Sequence, residues 1–338
     1  MKSLALTYRP QSFDDLVGQD NIKKILSKQL EQNKFKQSYL FTGSAGTGKT
    51  TSARIFAKEI DGEIIEIDGA SNNGVNDVRE LKEKASFKPI HKKYKIIIID
   101  EVHSLSIGAF NALLKILEEP PAHVIFVFAT TDPQKIPATI LSRVQRFDFK
   151  RMSVQQLKSR LMYIIEQENT RDGREINVSS DALEYISKLA NGGMRDAISV
   201  LDTCLGYQDN LELSDIFNIL GTSNYEDVFN IMKFIVKDDY ANILDLIEEL
   251  HLQGKNLKQF VRNLLDVNVD LMKILLVKNW DYVSIPSTYK EEAEELFDLL
   301  AENEKSLRQI FQKLSDLHQS IKYESNEKTM IQGALVTL

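Results

Sequence analysis

Between residues 37 and 150, short and almost wholly apolar runs alternate with segments whose apolar positions recur every three or four residues. The runs Ser38–Thr42, Ile64–Ile67, Lys95–Ile99, Val124–Ala129 and Gln145–Phe149 predict strands, and Lys49–Ile60, Val75–Ser86 and Ile107–Leu117 predict the helices between them. Strands that are apolar throughout, rather than at every second position, point to a parallel sheet covered on both faces. The run Glu118, Glu119, Pro120, Pro121 stops the last of these helices, because proline has no N–H to donate and crowds the turn before it. The chain up to Lys150 therefore reads as a three-layer α/β domain.

After Arg151 the strand signals stop. Ser153–Glu168, Ser179–Leu189 and Met194–Leu205 read as short helices, with Ser at their starts and Gly near their ends. The stretch Gly221, Thr222, Ser223, Asn224 is the next break, and Tyr225–Leu338 reads as a bundle of longer helices with turns near Gly254 and Pro286. The expected domains are residues 1–150, 151–221 and 222–338, α/β followed by all-α, with no internal repeat.

Composition narrows the class. Of 338 residues 43% are hydrophobic and 27% charged, with 15 glycines and 7 prolines, which excludes a disordered or fibrous chain. The single cysteine, Cys204, can build neither a disulfide framework nor a cysteine zinc cluster within the chain, and a reducing, cytoplasmic setting is expected. The densest apolar stretch, Leu271–Val277, is interrupted by Lys273 and too short to span a bilayer, so no membrane role is expected. The net charge of −7 is unevenly spread. Residues 1–150 hold 22 Lys and Arg against 18 Asp and Glu, and the remainder holds 20 against 31, so any surface facing phosphates is expected in the first part.

Gly43, Ser44, Ala45, Gly46, Thr47, Gly48, Lys49 and Thr50 satisfy the G-x4-G-K-[ST] pattern, between a predicted strand and a predicted helix as a phosphate loop requires. Glycines let backbone N–H groups converge on phosphate oxygens at a helix N-terminus, the lysine reaches the outer phosphates, and the hydroxyl serves Mg²⁺. Thr51 follows directly and joins the expected nucleotide-binding set. The strand Ile96–Ile99 ends in Asp100 and Glu101, where Asp100 suits the Mg²⁺ shell and Glu101 can polarise an attacking water. An intact Glu101 argues for ATP hydrolysis rather than binding alone.

With these motifs in place the chain resembles the AAA+ clamp-loader ATPases, in the branch of the gamma/tau subunits of bacterial DNA polymerase III. The resemblance runs through nearly the whole chain. It rests on Tyr8–Pro10 and Phe13–Gln19, the phosphate loop, Ile67–Val75, Ile99–Pro121, Ala129–Lys135, Ile140–Arg143 and Gly192–Asp196. The wording of Ile67–Val75 and Gln145–Lys150 is most similar to the form in Gram-positive bacteria. The resemblance implies an AAA+ P-loop domain with a five-stranded parallel sheet, a small helical lid and a C-terminal collar. It gives Arg143 the role of an arginine finger reaching the neighbouring subunit's ATP, Arg195 that of a second sensor on the γ-phosphate, and Thr130, in preference to the adjacent Thr131, that of the first sensor. Tyr8, Arg9, Val17 and Gln19 resemble the segment that wraps the adenine. The implied partners are other loader subunits in a pentameric hetero-oligomer, a sliding clamp and primer-template DNA, with Ser71–Val75 and Arg79 as candidate DNA contacts.

Two departures from the family pattern stand out. A four-cysteine zinc module usually separates the phosphate-loop helix from the next strand, yet here Ile60, Asp61, Gly62 join them directly, so no zinc is expected. Val144 stands where the finger motif usually has Cys, which predicts altered local packing with the arginine retained. No polymerase active site is expected, and the chain ends after the bundle, where the longer tau form continues into a segment that tethers helicase and polymerase. Three features invite a functional role that blander readings explain better. His103 reads as a hydrogen-bonded structural residue, Cys204 as a core thiol, and Glu291, Glu292, Glu294 and Glu295 as a solvated helix face. The rival readings are another AAA+ motor, such as a branch-migration helicase, and a non-hydrolysing stator-like loader subunit. Intact Lys49, Thr50 and Glu101 speak against the second.

Overall fold

The structure, a computed structural model, describes residues 3–222, 224–283, 285–301, 304–321 and 326–338. Five strands, β1 (Ser38–Thr42), β2 (Gly62–Asp68), β3 (Tyr94–Asp100), β4 (Val124–Thr130) and β5 (Gln145–Asp148), form one parallel sheet in the order β2-β3-β4-β1-β5. The helices before and between them are α1 (Leu4–Thr7), α2 (Asp20–Glu31), α3 (Lys49–Glu59), α4 (Val75–Ser86), α5 (Ile107–Glu118) and α6 (Ala138–Leu141). All five strands and the three helices expected between them are present, each within two residues of its predicted end.

Strand alternation divides the apolar side chains between two cores. Tyr39, Phe41, Ile96, Ile98, Ile125 and Val127 face one side, where they pack with Leu26 of α2 and Ala53 and Phe56 of α3. Leu40, Ile97, Ile99, Phe126 and Phe128 face the other, against Val78 and Leu81 of α4 and Ala109 and Leu113 of α5. Successive residues point to opposite faces, so a strand covered on both sides must be apolar throughout, and this is the pattern seen in Ile96–Ile99. The phosphate loop, Asp100 and Thr130 all fall at the carboxyl ends of β1, β3 and β4. In open α/β sheets that edge is where ligands bind.

The remaining elements are α7 (Val154–Asp172), β6 (Asn177–Val178), α8 (Ser180–Leu189), α9 (Met194–Leu205), β7 (Asn210–Leu211), α10 (Leu213–Ile219), α11 (Tyr225–Val236), α12 (Tyr240–Leu252), α13 (Leu257–Val277), α14 (Lys290–Ala301), α15 (Glu304–Ser320) and α16 (Glu327–Val336). The pair β6-β7, a two-residue parallel ladder, corrects the expectation that strands end at Arg151. Ladders that short carry no periodicity for a sequence to display.

The chain gathers into two compact units, one running to Asp172 and including Ile186–Thr203, the other made of Gly173–Tyr185 and Cys204–Leu338. In the second unit α13 packs along α15 and touches α11 and α16. Leu257, Phe260, Val261, Leu264, Val267, Leu271 and Ile274 form its buried stripe, at the three- and four-residue steps of one helix face. Gly221 and Gly254 adopt positive φ at the turns, as the breaks expected there require, and Ser223 lies outside the described residues.

Candidate active site

At the carboxyl edge of the sheet the chain leaves β1 as Gly43–Gly48 and enters α3 at Lys49. Gly43, Gly46 and Gly48 have φ of 145°, 71° and 98°. A Cβ on Gly43 would lie 2.5 Å from the Phe149 carbonyl oxygen, and one on Gly46 would lie 3.0 Å from Gly193 Cα, so neither position accepts a side chain. The loop is gripped from the other side by the Gly192–Asp196 segment, where Met194 N donates to the Gly46 carbonyl over 3.0 Å. Arg151 Nε donates to Ser44 Oγ over 3.2 Å, and the same guanidinium binds Asn191.

The Lys49 ammonium donates to the carbonyls of Gly43 (2.7 Å) and Ser44 (2.9 Å). Burial holds it below the usual lysine range, opposed by the negative charges of Glu101 and Asp100. Thr50 Oγ1 donates to Asp100 Oδ2 over 2.6 Å, which joins the end of the phosphate loop to the end of β3. Glu101 sits in the left-handed region at φ 44°, an uncommon place for a residue with a Cβ, and this turn takes its carboxylate out of the line of β3.

The two threonines at the end of β4 have different partners. Thr130 is fully buried, with Oγ1 held by His103 Nδ1 (3.0 Å) and by the Asp132 N–H (3.0 Å). Thr131 donates to Glu101 Oε2 from its hydroxyl (3.0 Å) and from its N–H (3.4 Å). Neighbouring side chains leaving a strand point to opposite sides, so only one can meet Glu101. The hydroxyl beside the carboxylate is that of Thr131, whereas Thr130, expected to be the first sensor, turns its hydroxyl to His103. His103 Nδ1 also lies 3.2 Å from Glu101 Oε2, in keeping with a hydrogen-bonded structural role.

Lys49, Thr50, Asp100 and Glu101 border one cavity of about 530 Å³. Its lining includes Lys49, Thr50, Asp100, Glu101 and Arg195 together with Tyr8, Arg9 and Val17, and the loop residues Ala45, Gly46, Thr47, Gly48 and Thr51 also border it. Arg9 is held below the usual arginine value by burial first, then by the charge of Arg54, and its Nε donates to Thr51 Oγ1 over 3.2 Å. Five of the expected residues do not line the cavity. Gly43 and Ser44 turn their carbonyls to Lys49, Gln19 pairs its amide with the Lys150 backbone (Nε2 to O 2.7 Å, Oε1 from N 3.1 Å), and Thr130 is buried behind the edge.

Arg143 is the fifth residue outside the cavity. Its guanidinium donates to the Thr139 carbonyl (2.6 Å), Ser142 Oγ (3.1 Å) and Glu118 Oε1 (2.7 Å). The sequence offers Glu118 only as part of a helix stop and gives no sign of this partnership. Nor does it single out Arg54, Glu66 and Arg160 on the cavity wall, where Arg54 makes a two-pronged ion pair to Glu66 at 2.7 and 2.6 Å. The i, i+12 separation of that pair crosses from α3 to β2, so no local pattern announces it.

The fold agrees with that of similar proteins. The solved structure of the Thermotoga maritima RuvB Holliday junction branch migration motor superposes with a TM-score of 0.53, at 23% identity over 68% of this chain and 79% of that one, which establishes the AAA+ fold. The family model described as DNA polymerase III, delta subunit, matches residues 60–153, and that of DNA polymerase III subunits gamma and tau domain III matches residues 211–338. The DNA polymerase III subunit gamma of Buchnera aphidicola is 35% identical, with 74% of each chain aligned. The chain belongs to the gamma/tau family of DNA polymerase III subunits. The tau subunit of Bacillus subtilis is 36% identical over the whole of this chain, and that of Escherichia coli 35% identical over 74% of it. The chain spans 63% of the length of the Bacillus protein and 42% of the Escherichia one.

Proposed function

We propose that this chain is an ATPase subunit of a DNA polymerase III clamp loader, coupling ATP binding and hydrolysis to opening a sliding clamp and loading it on primer-template DNA. The observation that carries the reading is the meeting of Lys49, Thr50, Asp100, Glu101 and Arg195 around one cavity, in a chain of the gamma/tau family. ATP enters as substrate, its triphosphate toward the Gly46–Thr50 amides and Lys49, its adenosine toward Tyr8, Arg9 and Val17. Glu101 polarises the attacking water and Thr131 orients it through the carboxylate. Arg195 meets the γ-phosphate in cis.

The donor set suits Mg²⁺. Thr50 Oγ1 and Asp100 Oδ2 are already adjacent, and no cluster of three or more His, Cys, Asp or Glu stands among the described residues, so the arrangement fits a hard cation that keeps waters and phosphate oxygens as its other ligands. When bound, the ion withdraws charge from the phosphate oxygens.

Arg143, outside its own cavity, serves the ATP of the next subunit in a pentameric ring of loader subunits, through a heterologous contact that repeats around the assembly. Residues 1–150 act as the ATPase domain, 151–221 as a lid and 222–338 as the collar. DNA is held chiefly through its phosphates, with Ser71–Val75 and Arg79 as contributors. No described helix is long and apolar enough to cross a membrane, and membership of the family supports a cytoplasmic replication role. The reading is tested by reconstituting the chain with partner loader subunits and measuring clamp transfer to primed DNA: Lys49→Ala abolishes transfer, and an unaffected Lys49→Ala loader would overturn the reading.

A further inference from the structure

Helix α7 carries a buried carboxylate that neither the phosphate loop nor the strand ends account for. Leu157, Leu161, Ile164 and Ile165 form the buried stripe of this helix, and the next position on that face at the same spacing is Glu168, only 3% exposed. An apolar residue is the default there, because a carboxylate taken from water is costly unless it is paired. The partners of Glu168 are specific. Its Oε1 accepts from the Tyr8 hydroxyl over 2.6 Å, and Arg171 Nη1, one turn on, lies 3.2 Å from the same oxygen.

Tyr8 belongs to the segment Ser3–Pro10 that borders the cavity, and the polar ties of that segment to other parts of the unit run to helices around the nucleotide site. Arg160 of α7 donates to the Tyr8 carbonyl over 3.2 Å, Arg9 Nε reaches Thr51 of α3, and Leu4 N donates to Asp202 Oδ2 of α9 over 3.1 Å. Within itself the segment has one four-residue helix to hold it in place. Its position over the cavity therefore depends on side chains from three helices. The shortest of these bonds is the charge-assisted one from Tyr8 to Glu168, whose carboxylate is buried.

We propose that Glu168 is a positioning residue of the nucleotide site: through the Tyr8 hydroxyl it fastens the Ser3–Pro10 segment to α7 over the adenosine end of the cavity, and so sets affinity for the nucleoside part of ATP without touching the phosphates. The inference rests on the reading of this cavity as an ATP site. Glu168 itself does not border the cavity, and the groups that meet phosphate lie on other elements.

The test uses the full chain, titrated with a fluorescent N-methylanthraniloyl ATP, with inorganic tripolyphosphate as a competitor that lacks the nucleoside. Glu168→Leu, which continues the apolar stripe, and Tyr8→Phe each weaken nucleotide binding by about tenfold, the loss of one charge-assisted hydrogen bond. Glu168→Gln, which keeps an acceptor, recovers most of the affinity. The double variant Tyr8→Phe/Glu168→Leu is no weaker than either single one, because one bond is lost in all three. Tripolyphosphate binds every variant as it binds the parent, which a general loosening of the fold would not allow. Nucleotide affinity unchanged in Tyr8→Phe, or tripolyphosphate weakened in step with the nucleotide, overturns the proposal. Should Glu168→Leu fail to fold, Tyr8→Phe decides the matter alone. Failure of the parent chain to bind the nucleotide, or equal binding by Lys49→Ala, would remove the ATP-site reading itself and the inference with it.

Discussion

Thr131 and Glu101 share a hydrogen bond of 3.0 Å between hydroxyl and carboxylate, while Thr130, one residue earlier, is fully buried against His103. The two threonines therefore separate a catalytic effect from a structural one. Thr131→Ala frees the Glu101 carboxylate and lowers ATP turnover on the order of 10²-fold with little change in stability. Thr130→Ala leaves the His103 ring and the Asp132 N–H without this partner and costs about 1–2 kcal/mol of stability, with a smaller effect on turnover. Single-turnover ATP hydrolysis and urea unfolding, measured on both variants, check the division.

Thr50 and Asp100 form the second diagnostic pair. If Thr50 and Asp100 hold Mg²⁺ as proposed, Thr50→Ala and Asp100→Asn each remove one ligand of a hard cation, and turnover in both variants is restored in part by raising Mg²⁺. Titrating Mg²⁺ at fixed ATP gives the shift directly. A variant whose residual activity ignores Mg²⁺ contradicts the assignment.

Arg143 lies outside its own cavity and is held by Glu118, Thr139 and Ser142. Arg143→Ala accordingly binds ATP as the parent does but loses turnover in the assembled loader, on the order of 10³-fold for a finger that meets the transferring phosphoryl group. Equilibrium binding to the isolated chain, set beside turnover of the assembly, checks both halves of the expectation.

Asn268 on α13 is fully buried in the apolar core of the second unit, and both amide atoms are without a hydrogen-bond partner among the described residues. Replacing it by an apolar side chain of similar size removes two orphaned groups rather than a bond. Asn268→Leu therefore raises the unfolding free energy by about 1–3 kcal/mol, read as an increased urea midpoint.

Burial pushes the Cys204 thiol up to about 11. The thiolate is scarce at neutral pH, and the sulfur is fully buried as well. Iodoacetamide at pH 8 labels Cys204 only in denaturant. Rapid labelling of the folded chain contradicts this environment.

The fold is legible where one local pattern admits one structure. Ile96–Ile99 is apolar at four successive positions and reads as a strand covered on both faces, and Gly43–Thr50 fixes a loop whose glycines meet the Phe149 and Gly193 backbones. What stays hidden depends on contacts distant in sequence. The adjacency of Thr130 and Thr131 holds no record of which one faces Glu101, because that is set by where β4 ends. Glu168 on the stripe of α7 is visible as a polar residue at an apolar position, yet its partner Tyr8 lies 160 residues away. Glu118 carries a local meaning at the α5 terminus, and its pairing with Arg143 arises only once α6 is folded beside it.

ATP hydrolysis in an assembly of this chain with its partner loader subunits, measured with and without sliding clamp and primer-template DNA, separates a clamp-loader ATPase from another AAA+ motor. A clamp-loader ATPase hydrolyses ATP slowly alone and is strongly stimulated only when clamp and DNA are both present. Turnover indifferent to the clamp, in an assembly shown to be intact, would mean that this ATPase does not act on a sliding clamp.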